Sequence, residues 1–106
     1  MRQLDPLELI TWRRGLQENP QYLDVRERWE FALCRLEDSV NIPLGELAER
    51  YDEIDGERPV VCICHHGIRS LHAASFLEHE GFVEVVNLAG GIDAWARLAD
   101  PAVPRY

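Results

Sequence analysis

The sequence predicts an α/β fold in which a parallel sheet carries helices on both faces. Three features point to it. Short strand-like segments alternate along the chain with segments of helical periodicity, the order expected of βαβ units. Pro59-Val60-Val61-Cys62-Ile63-Cys64 is an uninterrupted apolar run, as suits a strand covered on both faces. Glycines stand where the helical patterns stop, at Gly15 and Gly81.

The elements follow in order. Asp5-Pro6-Leu7-Glu8 is a helix start, with Asp5 as cap, Pro6 in the first turn and Glu8 closing a capping box. That helix is expected to run to Arg14. Gln21 to Val25 reads as a strand, with Arg26 as its polar exit, and a short helix is expected over 27–33. Ser39 to Ile42 reads as a brief strand closed by Pro43. Leu44, Leu47, Ala48, Tyr51 and Ile54 recur at helical spacing, with Glu46, Glu49, Arg50 and Glu53 on the wet side. After the apolar run, a helix is expected over 70–80, a strand over 83–88 and a last helix over 92–98, before Pro101 and Pro104 end regular structure.

The 106 residues are expected to form one compact domain, 1–106, since domains cluster at roughly 100–150 residues. An apolar fraction of 46% and a charged fraction of 28% are ordinary for a globular protein. A formal charge of −8 disfavours nucleic acid as a partner, because phosphate binding depends on clustered Lys and Arg. No apolar stretch is long enough to span a bilayer, so no membrane partner is expected. Charges interrupt the N-terminal MRQLDPLELI where a signal peptide would be apolar, so a cytoplasmic location is expected. In a reducing compartment the three cysteines are packing, metal ligands or reactive thiols.

In open parallel sheets, ligands sit beyond the carboxyl ends of the strands. Cys64 lies at that end of the most apolar strand, and only His65, His66, Gly67, Ile68 and Arg69 separate it from the next helix. A loop this short can turn its N–H groups inward around the sulfur, and the helix dipole adds a partial positive charge. Gly67 permits the tight curve, and Arg69 supplies a forked cation suited to tetrahedral oxyanions. Helix N-termini and nearby cations lower a cysteine pKa, so Cys64 is expected to be a nucleophile ionised at neutral pH. A cysteine phosphatase or arsenate reductase would use such a thiolate too, but the phosphatase loop is one residue longer between Cys and Arg. The smaller ring suits a sulfur atom carried on Cys64.

Cys64-His65-His66-Gly67-Ile68-Arg69-Ser70 resembles the active-site loop of rhodanese-like sulfurtransferases, whose single-domain members often carry Cys-x-x-Gly-x-Arg-Ser. Leu23-Asp24-Val25-Arg26-Glu27 resembles an early segment of that family, and the stretch from Asn87 through Gly90-Gly91 to Trp95 resembles its C-terminal element. The resemblance implies a rhodanese-like three-layer fold, a five-stranded mostly parallel sheet flanked by helices on both faces. It also implies a sulfurtransferase that takes sulfane sulfur from a donor such as thiosulfate onto Cys64 as a persulfide, then yields it to cyanide, a thiol or a protein cysteine. By the same analogy, the loop of His65, His66, Gly67, Ile68 and Ser70 cradles the sulfur and Arg69 holds the donor's oxyanion. Asp24 and Arg26 brace the loop or the pocket edge. No cofactor and no metal are implied. Family members also serve as domains in protein relays for cofactor or tRNA thiolation, and the tail from Asp100 to Tyr106 resembles the end of such domains fused to adenylating enzymes.

The remaining residues have plainer readings. Cys62 is expected to be core filler, although alternation along the strand could bring it near Cys64 as a resolving thiol. Residues 34–39 depart from the family pattern and read as a variant surface loop, with Cys34 as packing, although its place there leaves a second redox thiol open. His65 and His66 beside Cys62 and Cys64 match no zinc spacing. Their imidazoles are expected at the rim of the loop. His72 and His79 read as solvent-facing. The three tryptophans read as packing anchors, with Trp95 pinning the last helix against the sheet.

Overall fold

A computed structural model describes residues 1–106. Five strands form one sheet: β1 (Arg2–Leu4), β2 (Gln21–Asp24), β3 (Ser39–Asn41), β4 (Val60–Ile63) and β5 (Val85–Leu88). Their order is β1-β5-β4-β2-β3, and every pairing is parallel. Between them lie α1 (Pro6–Arg14), α2 (Arg28–Leu33), α3 (Leu47–Arg50), α4 (Ile68–His79) and α5 (Gly91–Leu98).

The central strand shows how the layers are specified. Successive side chains of a strand point to opposite faces. In β4, Val60 and Cys62 enter a buried cluster with Leu47, Ala73, Ala74 and Leu77, so α3 and α4 cover that face. Val61 and Ile63 enter the other cluster with Leu9, Ile92 and Trp95, so α1 and α5 cover the opposite one. All four β4 residues are buried, which is why the segment reads as a continuous apolar run instead of an alternating one.

The expected capping box opens α1: Glu8 N–H donates to the Asp5 carboxylate at 2.8 Å, and Asp5 N–H to the Glu8 carboxylate at 3.0 Å. Gly15 ends the helix. Four expectations need correction. β1 has no counterpart in the sequence reading; its register Arg2↔Val86, Gln3↔Asn87, Leu4↔Leu88 gives these residues a sheet edge that their composition does not announce. The helix expected over 44–54 is broken into 3₁₀ turns at Leu44–Glu46 and Tyr51–Glu53 on either side of α3. Two of its apolar residues, Leu47 and Ile54, still reach the core. The 34–39 stretch is anchored: Cys34 and Leu36 are buried against the α1/α5 side of the sheet. Trp29 is exposed, because it lies on the outer side of the short α2. Trp95, in α5, does pack in the core.

Candidate active site

β4 ends at Ile63, and Cys64 opens the turn into α4, which begins two residues earlier than expected, at Ile68. The carbonyls of this turn face α5. The Cys64 carbonyl accepts from Ile92 N–H at 2.8 Å, and the His65 carbonyl from Asp93 N–H at 3.1 Å. With those carbonyls tied to the first turn of α5, Gly67 N–H is free to donate to Cys64 Sγ at 3.0 Å. Gly67 has φ +100°, and a Cβ there would approach Gly90 N to 3.0 Å. The Ser70 hydroxyl, in the first turn of α4, lies 3.3 Å from Sγ. The sulfur is buried at the positive end of the α4 dipole.

Gly91 allows α5 to come this close. It has φ +63°, and a Cβ would fall onto the His65 carbonyl oxygen and within 2.5 Å of the Cys64 carbonyl oxygen. Gly91→Ala is therefore expected to lower stability by about 3 kcal/mol, combining left-handed strain with overpacking against fixed backbone. A urea melt checks it; an unshifted midpoint would mean the turn has room to spare.

Arg69 projects from the first turn of α4 and makes a two-pronged ion pair with Glu30 of α2, Nη1 to Oε1 at 2.6 Å and Nη2 to Oε2 at 2.9 Å. Glu30 Oε2 also accepts from the Tyr106 hydroxyl at 2.7 Å, and the Tyr106 oxygen accepts from Arg26 at 2.9 Å. Asp24 and Arg26 sit one strand away, at the end and exit of β2. Arg26 pairs with Asp24 at 2.7 Å, with both side chains fully buried. Asn41 ties this exit down, donating to the carbonyls of Asp24 and Arg26. Neither Asp24 nor Arg26 hydrogen-bonds to Cys64; their link to the loop runs through Tyr106, Glu30 and Arg69.

These contacts shift ionisation in defined directions. Hydrogen bonds from Arg69, against the cost of burial, pull the Glu30 carboxyl down to about 2. Burial is the first cause lifting the Tyr106 hydroxyl to about 12. A depressed carboxyl stabilises the fold above its unfolded value of 4.5, and that contribution disappears as pH falls through about 2. Glu30→Gln is therefore expected to flatten the stability profile between those limits. Unfolding measured across that range checks it, and an unchanged slope would count against the ion pair.

His65 is stacked between two rings, its centroid 4.0 Å from that of His66 and 4.0 Å from that of Tyr106. Burial, and then the neighbouring His66, lower its pKa. Ligating atoms of His65, His66 and Asp93 lie within 4.8 Å of one another. The two imidazoles are inclined by only 25°, so their in-plane lone pairs run side by side instead of converging on one ion. Asp93 is already paired with Arg97 and Arg105. His65 and Asp93 are half-buried beside the turn, and His66 is exposed. Cys62 is fully buried, and burial pushes its thiol up to about 12. His72 and His79 face solvent on α4.

Three neighbours of the site escape the sequence reading. Glu30 comes from α2 and Tyr106 from the tail, and neither has a spacing that ties it to Cys64. Glu30 does carry a capping signal, since its carboxylate accepts from Glu27 N–H at 2.9 Å. Asn87 is a polar residue in a strand otherwise read as apolar. It is buried and donates to the Gly67 carbonyl at 3.1 Å.

Comparison with known proteins agrees with this geometry. The model of the rhodanese-like domain matches residues 10–98. Over 96 residues, the chain is 32% identical to the thiosulfate sulfurtransferase GlpE of Actinobacillus pleuropneumoniae, spanning 91% of this chain and 89% of the relative. It is 35% identical to a sulfurtransferase of Allochromatium vinosum, spanning 91% and 90%. A rhodanese-related protein from Thermoplasma volcanium superposes with a TM-score of 0.84 at 30% identity over 100% of both chains. A NAD-dependent persulfide reductase from A. fulgidus superposes with a TM-score of 0.69 at 32% identity, covering 90% of this chain and 16% of that one. With its thiol seated where β4 meets α4, the chain belongs to the rhodanese-like sulfurtransferase family.

Proposed function

We propose that residues 1–106 act as one unit that transfers sulfane sulfur through a persulfide on Cys64, without a cofactor. In the first half-reaction the Cys64 thiolate attacks the outer sulfur of thiosulfate. The donor's S–S bond breaks, its electron pair leaves with sulfite, and Cys64 keeps one added sulfur. In the second, a thiophilic acceptor attacks that sulfur and the electron pair returns to Cys64; cyanide leaves as thiocyanate, a thiol as its persulfide. This splits one transfer into two easier steps.

One observation carries the reading: Sγ of Cys64 accepts Gly67 N–H at the N-terminus of α4, a setting that favours sulfur anions. The loop from His65 to Ser70 forms the cradle, and Arg69 is the cation within reach for the donor's sulfonate. Asp24 and Arg26 act at one remove, by fixing Tyr106 and Glu30. None of the three cysteines is in a disulfide, which suits a reducing cytoplasm. Incubation with thiosulfate, followed by mass analysis, is expected to add one sulfur to the Cys64 peptide and to no other. An unmodified Cys64 with sulfite still released would rule out this route.

Arg69 also supports a second reading, in which the physiological donor and acceptor are proteins of a sulfur relay. Both Arg69 prongs are occupied by Glu30, so a small dianion must displace a carboxylate to bind. A protein persulfide needs no such exchange. The two readings part at Glu30→Gln. If a small oxyanion is the donor, that variant is expected to lower KM for thiosulfate severalfold. If a protein is, KM stays high and transfer to the partner is little changed.

A further inference from the structure

The Ser70 hydroxyl has one proton and two claimants. Asn87 Oδ1 lies 2.5 Å from Ser70 Oγ, and Cys64 Sγ lies 3.3 Å from it on the other side. The orientation of the Asn87 amide is fixed by its neighbours. The Gly67 carbonyl can only accept, so the amide nitrogen faces it at 3.1 Å, and that nitrogen also donates to Gln3 Oε1 at 2.8 Å. Oδ1 is thereby left facing Ser70, and an amide oxygen can only accept. The Ser70 proton is committed to Asn87. Toward Cys64 the hydroxyl presents lone pairs, which receive S–H well and face a sulfur anion badly.

We propose that Asn87 is a positioning residue that withholds the Ser70 proton from Cys64, so that ionising the sulfur requires the hydroxyl to swing from Oδ1 to Sγ. The thiol proton goes to solvent water in that step, and the Ser70 proton changes acceptor without leaving its oxygen. The cost is Oδ1, left without a donor in a fully enclosed place, since Ser70 and Asn87 are both buried. That cost keeps the sulfur anion less stabilised than Gly67 and an uncommitted Ser70 hydroxyl would make it, and correspondingly more nucleophilic. When Cys64 carries the added sulfur, its inner sulfur is neutral and the hydroxyl returns to Asn87. This inference rests on Cys64 being the nucleophile proposed above.

Other charged and titratable groups lie around the sulfur. Arg69 lies in the first turn of α4 and is paired with Glu30, and Cys62 is buried in β4. Asp24 at the end of β2 is spent on Arg26, Glu30 of α2 on Arg69, and Asp93 of α5 on Arg97 and Arg105. His65 is held in its ring stack and His66 is exposed. Substitution at Asn87 changes none of these groups.

The test is the pH dependence of Cys64 alkylation by iodoacetamide, followed by mass on the Cys64 peptide, with folding checked by circular dichroism. Asn87→Ala is expected to move the midpoint down by about one pH unit, the effect of freeing one hydrogen bond for a charged acceptor. Asn87→Val, which suits a strand, gives the same shift should the alanine variant be too loose to fold. A merely structural role predicts the opposite sign, because a loosened turn loses the Gly67 donor. On a Ser70→Ala background, the same Asn87 substitution is expected to move nothing. A midpoint that stays or rises with Ser70 present, or that falls equally without it, overturns the proposal. Wild-type protein that takes sulfur from thiosulfate while its midpoint ignores Asn87 refutes this inference alone. Protein whose midpoint shifts as expected but which takes no sulfur refutes the proposed function and supports this inference.

Discussion

Cys64→Ser is expected to stop sulfur transfer, cutting thiocyanate formation by roughly 10³-fold or more, as removal of a covalent nucleophile does. A serine hydroxyl is not ionised near neutrality and forms no stable bond to sulfane sulfur. The fold should hardly notice the change. A serine oxygen can accept the Gly67 N–H that Sγ accepts at 3.0 Å, so the stability loss is expected to be small, about 1 kcal/mol. Cys34 and Cys62 remain as internal controls, since neither sits in the turn at the N-terminus of α4 where Gly67 N–H meets the Cys64 sulfur. Thiocyanate assays, together with a thermal melt, separate loss of chemistry from loss of structure. Sulfur uptake retained by a folded Cys64→Ser protein would defeat the persulfide mechanism.

Arg26→Ala is expected to be the most destabilising single change, costing about 3–5 kcal/mol, because it strands the charge of a buried partner. The Arg26 side chain is fully enclosed and donates to both Asp24 oxygens, to the carbonyls of Glu30 and Cys34, and to the Tyr106 hydroxyl. Without it, the Asp24 carboxylate keeps only the backbone N–H of residue 26 at 3.0 Å. Against a total of about 5–15 kcal/mol for a domain of this size, that is a large share. The melting temperature is expected to fall by more than about 10 °C. Lysine should not restore it, because a compact ammonium cannot reproduce the planar fork of donors that meets these five acceptors. A double variant, Asp24→Leu with Arg26→Ala, should recover part of the loss by removing the stranded charge. A double variant less stable than Arg26→Ala alone would contradict this account.

What the sequence disclosed, and what it hid, divides along a physical line. Local signals were legible: the Asp5–Glu8 box, the apolar run of β4, and the Gly67 turn that seats Cys64 all express their causes within a few residues. The loop chemistry was legible for the same reason, since Cys64, Gly67 and Arg69 lie on one short turn. Long-range pairings were not. Glu30 claims Arg69 across 39 positions, and Tyr106 reaches Glu30 across 76. Nothing in the periodicity of either segment encodes such a meeting. Trp29 misled because an aromatic residue on a short helix can pack or stand exposed, and only the neighbouring layers decide. The interrupted 44–54 segment kept its apolar spacing while losing continuous α-helical hydrogen bonding, which spacing alone cannot reveal.

The edge strand β1 has a bearing on how the protein is made. Its first residues pair with β5, more than 80 positions along the chain, and Gln3 meets Asn87 there. Closing so long a span is slow, and parallel pairing of this kind accumulates late in folding. On the ribosome, residues 2–4 must wait without a partner until residues 86–88 have emerged, so the thiol's final setting is completed only once that strand is available.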